Sequence, residues 1–139
     1  MNVDSSDRLT LVNNLSGTPN ILTVDRERRQ IYWTNMGAKF GDNDRFIDRC
    51  DLLFDDRDRT LYGTNRGLTP RGNTRNAARV GATGLTGQRN LLMGLWEGIG
   101  VCASARRDAL FVTELVLGHV RRFDLASGKA RTIRRGWLA

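Results

Sequence analysis

The sequence predicts an all-β chain, and three observations carry that expectation. Short segments of aliphatic and aromatic residues alternate with turns rich in Gly, Asp and Arg. No segment sustains apolar residues at helical spacing. A motif of polar turn, aliphatic, aromatic, variable residue and Thr returns in one register along the chain. The 139 residues amount to about one domain. With 40% hydrophobic and 27% charged residues, the balance is that of a folded chain rather than a disordered one. Fifteen Gly against two Pro suit short strands joined by tight turns.

The repeat carries most of the information. Asp25-Arg26-Glu27-Arg28-Arg29-Gln30-Ile31-Tyr32-Trp33-Thr34-Asn35-Met36-Gly37 aligns without a gap on the segment from Asp55 through Arg59, Leu61, Tyr62, Gly63, Thr64 and Asn65 to Gly67. Asp, Arg, Tyr, Thr, Asn and Gly are shared, and Ile31 faces Leu61. A third copy runs from Ser104 to Glu114, with Phe111 in the Tyr position, Thr113 in the Thr position and Glu114 in the Asn position. β-Branched and aromatic residues suit a pleated strand. Strand periodicity puts Ile31 and Trp33 on one face, Tyr32 and Thr34 on the other, so both faces are predicted to pack, with Trp33 buried.

The flanks repeat as well. Ile21-Leu22-Thr23-Val24 and Ile99-Gly100-Val101-Cys102 are short apolar strands leading into the polar turn. Arg45 to Leu52 and His119 to Leu125 follow the first and third copies, each ending in Asp-Leu. Asn90-Leu91-Leu92-Met93 and Ala130-Arg131-Thr132-Ile133 supply a fourth strand. Four short antiparallel strands per unit make the blade of a β-propeller. The expected fold is therefore a partial β-propeller of about three four-stranded blades in one domain over 1–139, with units at about 9–52, 53–93 and 94–135.

Ile31-Tyr32-Trp33-Thr34-Asn35 resembles the signature strand of the YWTD repeat, found in six-bladed propellers of low-density-lipoprotein-receptor-like and related microbial proteins. The segments around Leu61-Tyr62-Gly63-Thr64-Asn65 and Leu110-Phe111-Val112-Thr113-Glu114 resemble later blades, and the resemblance spans about Leu9 to Ile133. It implies that Tyr32, Trp33, Thr34, Asn35, Tyr62, Thr64, Asn65, Phe111, Thr113 and Glu114 are structural signature residues. The family's fourth signature residue is Asp, which helps tie neighbouring blades. Here it is Asn35, Asn65 and Glu114, and Gly63 and Val112 replace the Trp. From Tyr32 to Tyr62 the interval is 30 residues, and from Tyr62 to Phe111 it is 49. A blade takes roughly 40–45 residues. An internal deletion is therefore expected near Leu52, leaving about half of a six-bladed ring.

Candidate chemistry is sparse. Gly81-Ala82-Thr83-Gly84-Leu85-Thr86-Gly87 has the look of a phosphate-binding turn but lacks the buried strand before it and the helix after it. It is expected to be a loop between outer strands. His119 is the single histidine, without an arguable nucleophile, and is expected to be structural. Asp42-Asn43-Asp44 falls short of a calcium loop and is expected to be a solvated turn. Cys50 and Cys102 form no disulfide or zinc pattern and are expected to be buried. Arg71 and Asn73 form a possible ligand loop within Pro70-Arg71-Gly72-Asn73-Thr74. No catalytic residue and no cofactor are expected. The lactonase-type propellers that resemble this family hold a divalent metal with Glu, Asn and Asp, which makes Asn35, Asn65 and Glu114 the candidate ligands if a metal binds.

All but Lys39 and Lys129 of the 22 basic residues are Arg, and the formal net charge is +7. Acidic residues are interspersed in Asp25–Arg29 and Asp55–Arg59, which therefore read as solvated turns. The acid-free stretches, Arg66 to Arg89 and the tail with Arg131, Arg134 and Arg135, allow weak non-specific polyanion binding. The first residues lack a basic start and apolar run, so no signal peptide is expected, no membrane span either, and cytoplasm is the default compartment. The leading reading is a non-enzymatic interaction or scaffold module, a fragment of a longer YWTD-like propeller. It would bind a protein partner or pair with itself to complete the ring, most simply as a homodimer. The alternatives are a metal-dependent lactonase-type hydrolase and a truncated relic without its own function.

Overall fold

Residues 13, 19–35, 51–65, 78–84 and 87–136 are described by the structure, a computed structural model. They form ten β-strands and no helix. The strands are β1 (Pro19–Asp25), β2 (Gln30–Asn35), β3 (Leu52–Asp55), β4 (Thr60–Asn65), β5 (Ala78–Gly84), β6 (Gly87–Leu95), β7 (Gly98–Ala103), β8 (Ala109–Glu114), β9 (His119–Asp124) and β10 (Ala130–Arg134). β1 pairs with β2, β3 to β6 make one four-stranded sheet, and β7 to β10 make another. Every pairing is antiparallel, and within each sheet the strands lie side by side in chain order. The first strands meet from sheet to sheet, β1 against β3 and β3 against β7. This all-β, propeller-like succession of small antiparallel sheets is the fold class that the repeat predicts.

The turns explain the hairpins. Four residues separate Asp25 from Gln30 and Asp55 from Thr60, the paired ends of their strands. Asp25 Oδ1 accepts the amides of Glu27 and Arg28, and Asp55 Oδ1 accepts that of Arg57. In the third copy Ser104 Oγ takes over, accepting the amides of Asp108 and Ala109. A short polar side chain at the turn's start thus satisfies amides that no ladder reaches. Each turn then needs a left-handed residue. Arg29, Arg59 and Arg107 supply it at φ of 56°, 59° and 59°. A side chain in that region costs of order 1–2 kcal/mol, so something must offset it. For Arg59 and Arg107 the offset is the ion pairing described below.

The core lies between the two four-stranded sheets. Tyr62, Leu92, Leu95, Val101, Leu110, Val112 and Phe123 form its buried cluster. Leu95, Leu110 and Val112 are fully buried, each worth about 1.5–3 kcal/mol of apolar burial. The two faces of β8 differ as the period of two requires. Leu110 and Val112 are buried in one cluster with Tyr62 of β4, and Glu114 is buried on their face, whereas Phe111 is half-buried and Thr113 exposed. β4 is covered on both faces.

Four local expectations are corrected. Leu52 does not close the first unit. It opens the second sheet, pairing with Gly63, because Leu52-Leu53-Phe54 is the apolar strand that the turn at Asp55 requires. The glycine-rich stretch is not a loop between outer strands. Residues 78–84 are β5 and pair with β6 up to Gly84 opposite Gly87. Trp33 is half-buried rather than core; it lies opposite Leu22, on the face of β2 that does not carry Tyr32. Cys102 is exposed, because it alternates with buried Val101 on β7. Cys50, Asp42, Asn43 and Asp44 lie outside the described residues.

Candidate functional site

The signature Thr does the same job three times. Thr34 Oγ1 accepts the Ile21 amide at 3.0 Å, Thr64 Oγ1 the Asp51 amide at 3.0 Å, and Thr113 Oγ1 the Gly100 amide at 2.9 Å. In each copy the donor stands thirteen residues before the Thr. The hydroxyl therefore anchors the start of one strand to the end of the next.

At the second sheet this tie becomes a junction. Thr64 Oγ1 also donates to the carbonyl of Ile99, at the start of the third sheet. The Asp51 amide reaches the same carbonyl at 3.1 Å. The Asp51 carboxylate spans the seam, accepting the Leu52 amide at 3.0 Å through Oδ1 and the Val101 amide at 3.1 Å through Oδ2. Glu114 closes the far end. Its Oε1 accepts the amide of Trp96, in the link between sheets, at 2.9 Å. His119 Nδ1 lies 3.4 Å from Glu114 Oε2, and Arg121 Nη1 3.9 Å from Oε1.

The turns carry a second ladder. Arg59 pairs with Asp25 and Glu27 of the preceding turn. Arg107 pairs with Asp55 at 2.9 Å and lies 3.6 Å from Asp56, again one turn back. Arg59 also lies over the Phe54 ring at 5.7 Å, and Phe54 stacks on Tyr32 with centroids 5.8 Å apart. Burial works to raise the Asp25 pKa. The Arg28 amide, the Arg59 guanidinium and the Glu27 amide outweigh it, so the carboxyl titrates below its ordinary value. Asp108 is lowered chiefly by the Ser104 hydroxyl, and Asp124 by the amide and hydroxyl of Ser127. Between the turns lies a cleft of about 280 Å³ lined by residues including Asp25, Glu27, Phe54, Asp56 and Arg107. Asp25, Glu27, Asp56 and Arg107 of its lining are already engaged in ion pairs across the turns, so it is a seam between repeats more than a receptacle.

Of the signature residues, Thr34, Tyr62, Thr64, Asn65 and Glu114 are buried. Tyr32, Trp33 and Phe111 are half-buried and Thr113 is exposed. Burial raises the Tyr62 pKa, with help from the Asp58 and Asp55 charges. Asn35, Asn65 and Glu114 end β2, β4 and β8, the equivalent strands, and Glu114 acts on the Trp96 amide. No group of three or more His, Cys, Asp or Glu among the described residues is placed to hold a metal ion. No helix among them is long and apolar enough to cross a membrane. Arg71 and Asn73 lie outside the described residues. Sequence reasoning missed the Asp51 bridge and took the Asp/Arg turns for solvated ones. The signal for the ladder was present, since Asp25 and Asp55, and Arg29 and Arg59, recur at the same register.

These features define a repetitive all-β protein whose described sheets are joined by the Thr64 hydroxyl, the Asp51 carboxylate and an Arg–Asp ladder. No family model matches the sequence. A curated protein, low-density lipoprotein receptor-related protein 1 of Pyricularia oryzae, is 28% identical over 139 residues, covering 79% of this chain. The chain spans 45% of that relative's length.

Proposed function

We propose that this chain is a non-enzymatic interaction module built on YWTD-type propeller repeats, corresponding to part of a longer propeller. The observation that carries the reading is the threefold Thr tie at constant spacing. It marks the repeats as equivalent units, as in a propeller. The similarity to a receptor-related protein supports a binding role. The polar groups described above are spent on joining sheets, which fits a scaffold whose surface does the work.

The test is metal analysis of the purified chain together with hydrolysis assays on a panel of lactones. The reading expects neither stoichiometric metal nor turnover. Chelator-sensitive lactone hydrolysis would overturn it in favour of a lactonase-type enzyme.

A further inference from the structure

The described residues form two junctions between sheets, and both use the same register positions. On the receiving side, Leu52, Phe54, Leu61 and Gly63 of the second sheet correspond to Val101, Ala103, Leu110 and Val112 of the third. Leu52 and Leu61 are buried there, as are Val101, Leu110 and Val112. Each receiving face is covered by an aromatic-x-Thr strand from the preceding sheet. Tyr32 stacks on Phe54 at the first junction. Tyr62 and Thr64 meet Val101, Leu110 and Ile99 at the second.

The corresponding positions of the first sheet are Leu22, Val24, Ile31 and Trp33. There the aliphatic positions are bare, Leu22 being 59% exposed, Val24 46% and Ile31 37%, while Trp33 is half-buried. Their cross-strand pairing, Leu22 opposite Trp33 and Val24 opposite Ile31, gathers them on one face. At the other end, the third sheet presents Phe111 and Thr113 with nothing beyond them among the described residues. Phe111 is half-buried and Thr113 exposed. Among the described residues there is thus one receiving face left exposed and one presenting face, of the kind that fits it, left unused.

The geometry points to a second copy of this chain as the occupant, seating its Phe111–Thr113 face on Leu22, Val24, Ile31 and Trp33, head to tail. By the internal precedent, Phe111 packs on Val24 as Tyr32 packs on Phe54. Thr113 donates to the Asn20 carbonyl as Thr64 does to that of Ile99. Two such junctions close a two-copy ring in which each described end face meets the other copy. One element of the precedent is missing. The Arg59–Asp25 and Arg107–Asp55 pairs need an Asp opening the preceding turn, and the third turn opens with Ser104. Arg29 of the second copy therefore meets no carboxylate at that position, and the junction between copies lacks the ladder's ion pair.

This proposal deepens the interaction-module reading by naming the partner and the faces. Sedimentation velocity across the micromolar range tests it. The wild type is expected to move to dimer mass with rising concentration. Val24→Arg and Thr113→Arg each place a charge on an exposed position and should leave the chain folded by circular dichroism but monomeric. Mixing the two variants should restore dimers, because one intact junction remains between them. Ser104→Asp supplies the missing carboxylate and should lower the dissociation constant about two- to fivefold. A wild type that stays monomeric throughout, or dimers that survive both Arg substitutions, would overturn the proposal. Neither result touches the hydrolysis assay, which decides the reading beneath it.

Discussion

Replacing Thr64 with Val removes one hydroxyl and keeps the volume and β-branch of the side chain. Thr64 is fully buried, and its Oγ1 both accepts the Asp51 amide and donates to the Ile99 carbonyl. Two net hydrogen bonds at about 0.5–1.5 kcal/mol each set the scale. The loss is tempered because the Asp51 amide and the Ile99 carbonyl still bond to each other, so neither is fully orphaned. The expected cost is about 1–2 kcal/mol. Thr113→Val deletes the same tie to its own sheet, at an exposed site where water replaces the hydroxyl. It should cost about 0.5 kcal/mol or less. The assay is urea unfolding of both variants in the Val24→Arg background, which removes association between copies. The difference between the substitutions isolates the bond that crosses from sheet to sheet. Equal costs at the two sites would refute the claim that the signature Thr joins sheets at the second position and only strands at the third.

Other outcomes follow from the same packing. Leu110→Ala empties a fully buried position in the main core and should cost about 2–5 kcal/mol in urea unfolding. Leu22→Ala, on the bare face, should stay within about 0.5 kcal/mol for the monomer. Asp25, Asp108 and Asp124 have folded pKa values below their ordinary ones. Their contribution to stability is therefore present above about pH 4 and is lost as pH falls through the folded values. Asp25→Asn should weaken that acid dependence in a pH series of thermal melts, and an unchanged acid limb would contradict it. Labelled single-stranded DNA should bind weakly, without sequence preference, and release steeply with salt. Tight binding that survives high salt would contradict this.

Much of the fold was legible because its determinants are local. The alternation in Ile31-Tyr32-Trp33-Thr34 and Leu110-Phe111-Val112-Thr113 fixes strand and face, and Asp25 and Asp55 announce their turns. The third copy was harder, since Ser104 replaces Asp while performing the same capping. What was not legible depends on partners distant in sequence. Asp51 looked like the end of a third strand because Asp124-Leu125 ends one. Only the approach of Val101 reveals that its carboxylate joins two sheets. The glycine-rich stretch misled for a related reason. Gly81 and Gly84 weaken strand propensity, yet β4 and β6 flank the segment and supply the ladder that holds it. Trp33 is expected in the core if both strand faces pack, whereas its exposure depends on whether another sheet covers that face.

The central claim is that equivalent antiparallel sheets meet through Tyr62 and Thr64 on one side and Val101, Leu110 and Val112 on the other. Nuclear Overhauser effects in the labelled monomer test it most directly. The account predicts contacts between the Tyr62 ring and the methyls of Val101 and Leu110, together with cross-strand contacts at Leu53 with Tyr62 and Val101 with Val112. Cross-strand contacts displaced by one residue would put these side chains on the opposite faces and contradict the account, as would the absence of any contact between Tyr62 and the third sheet.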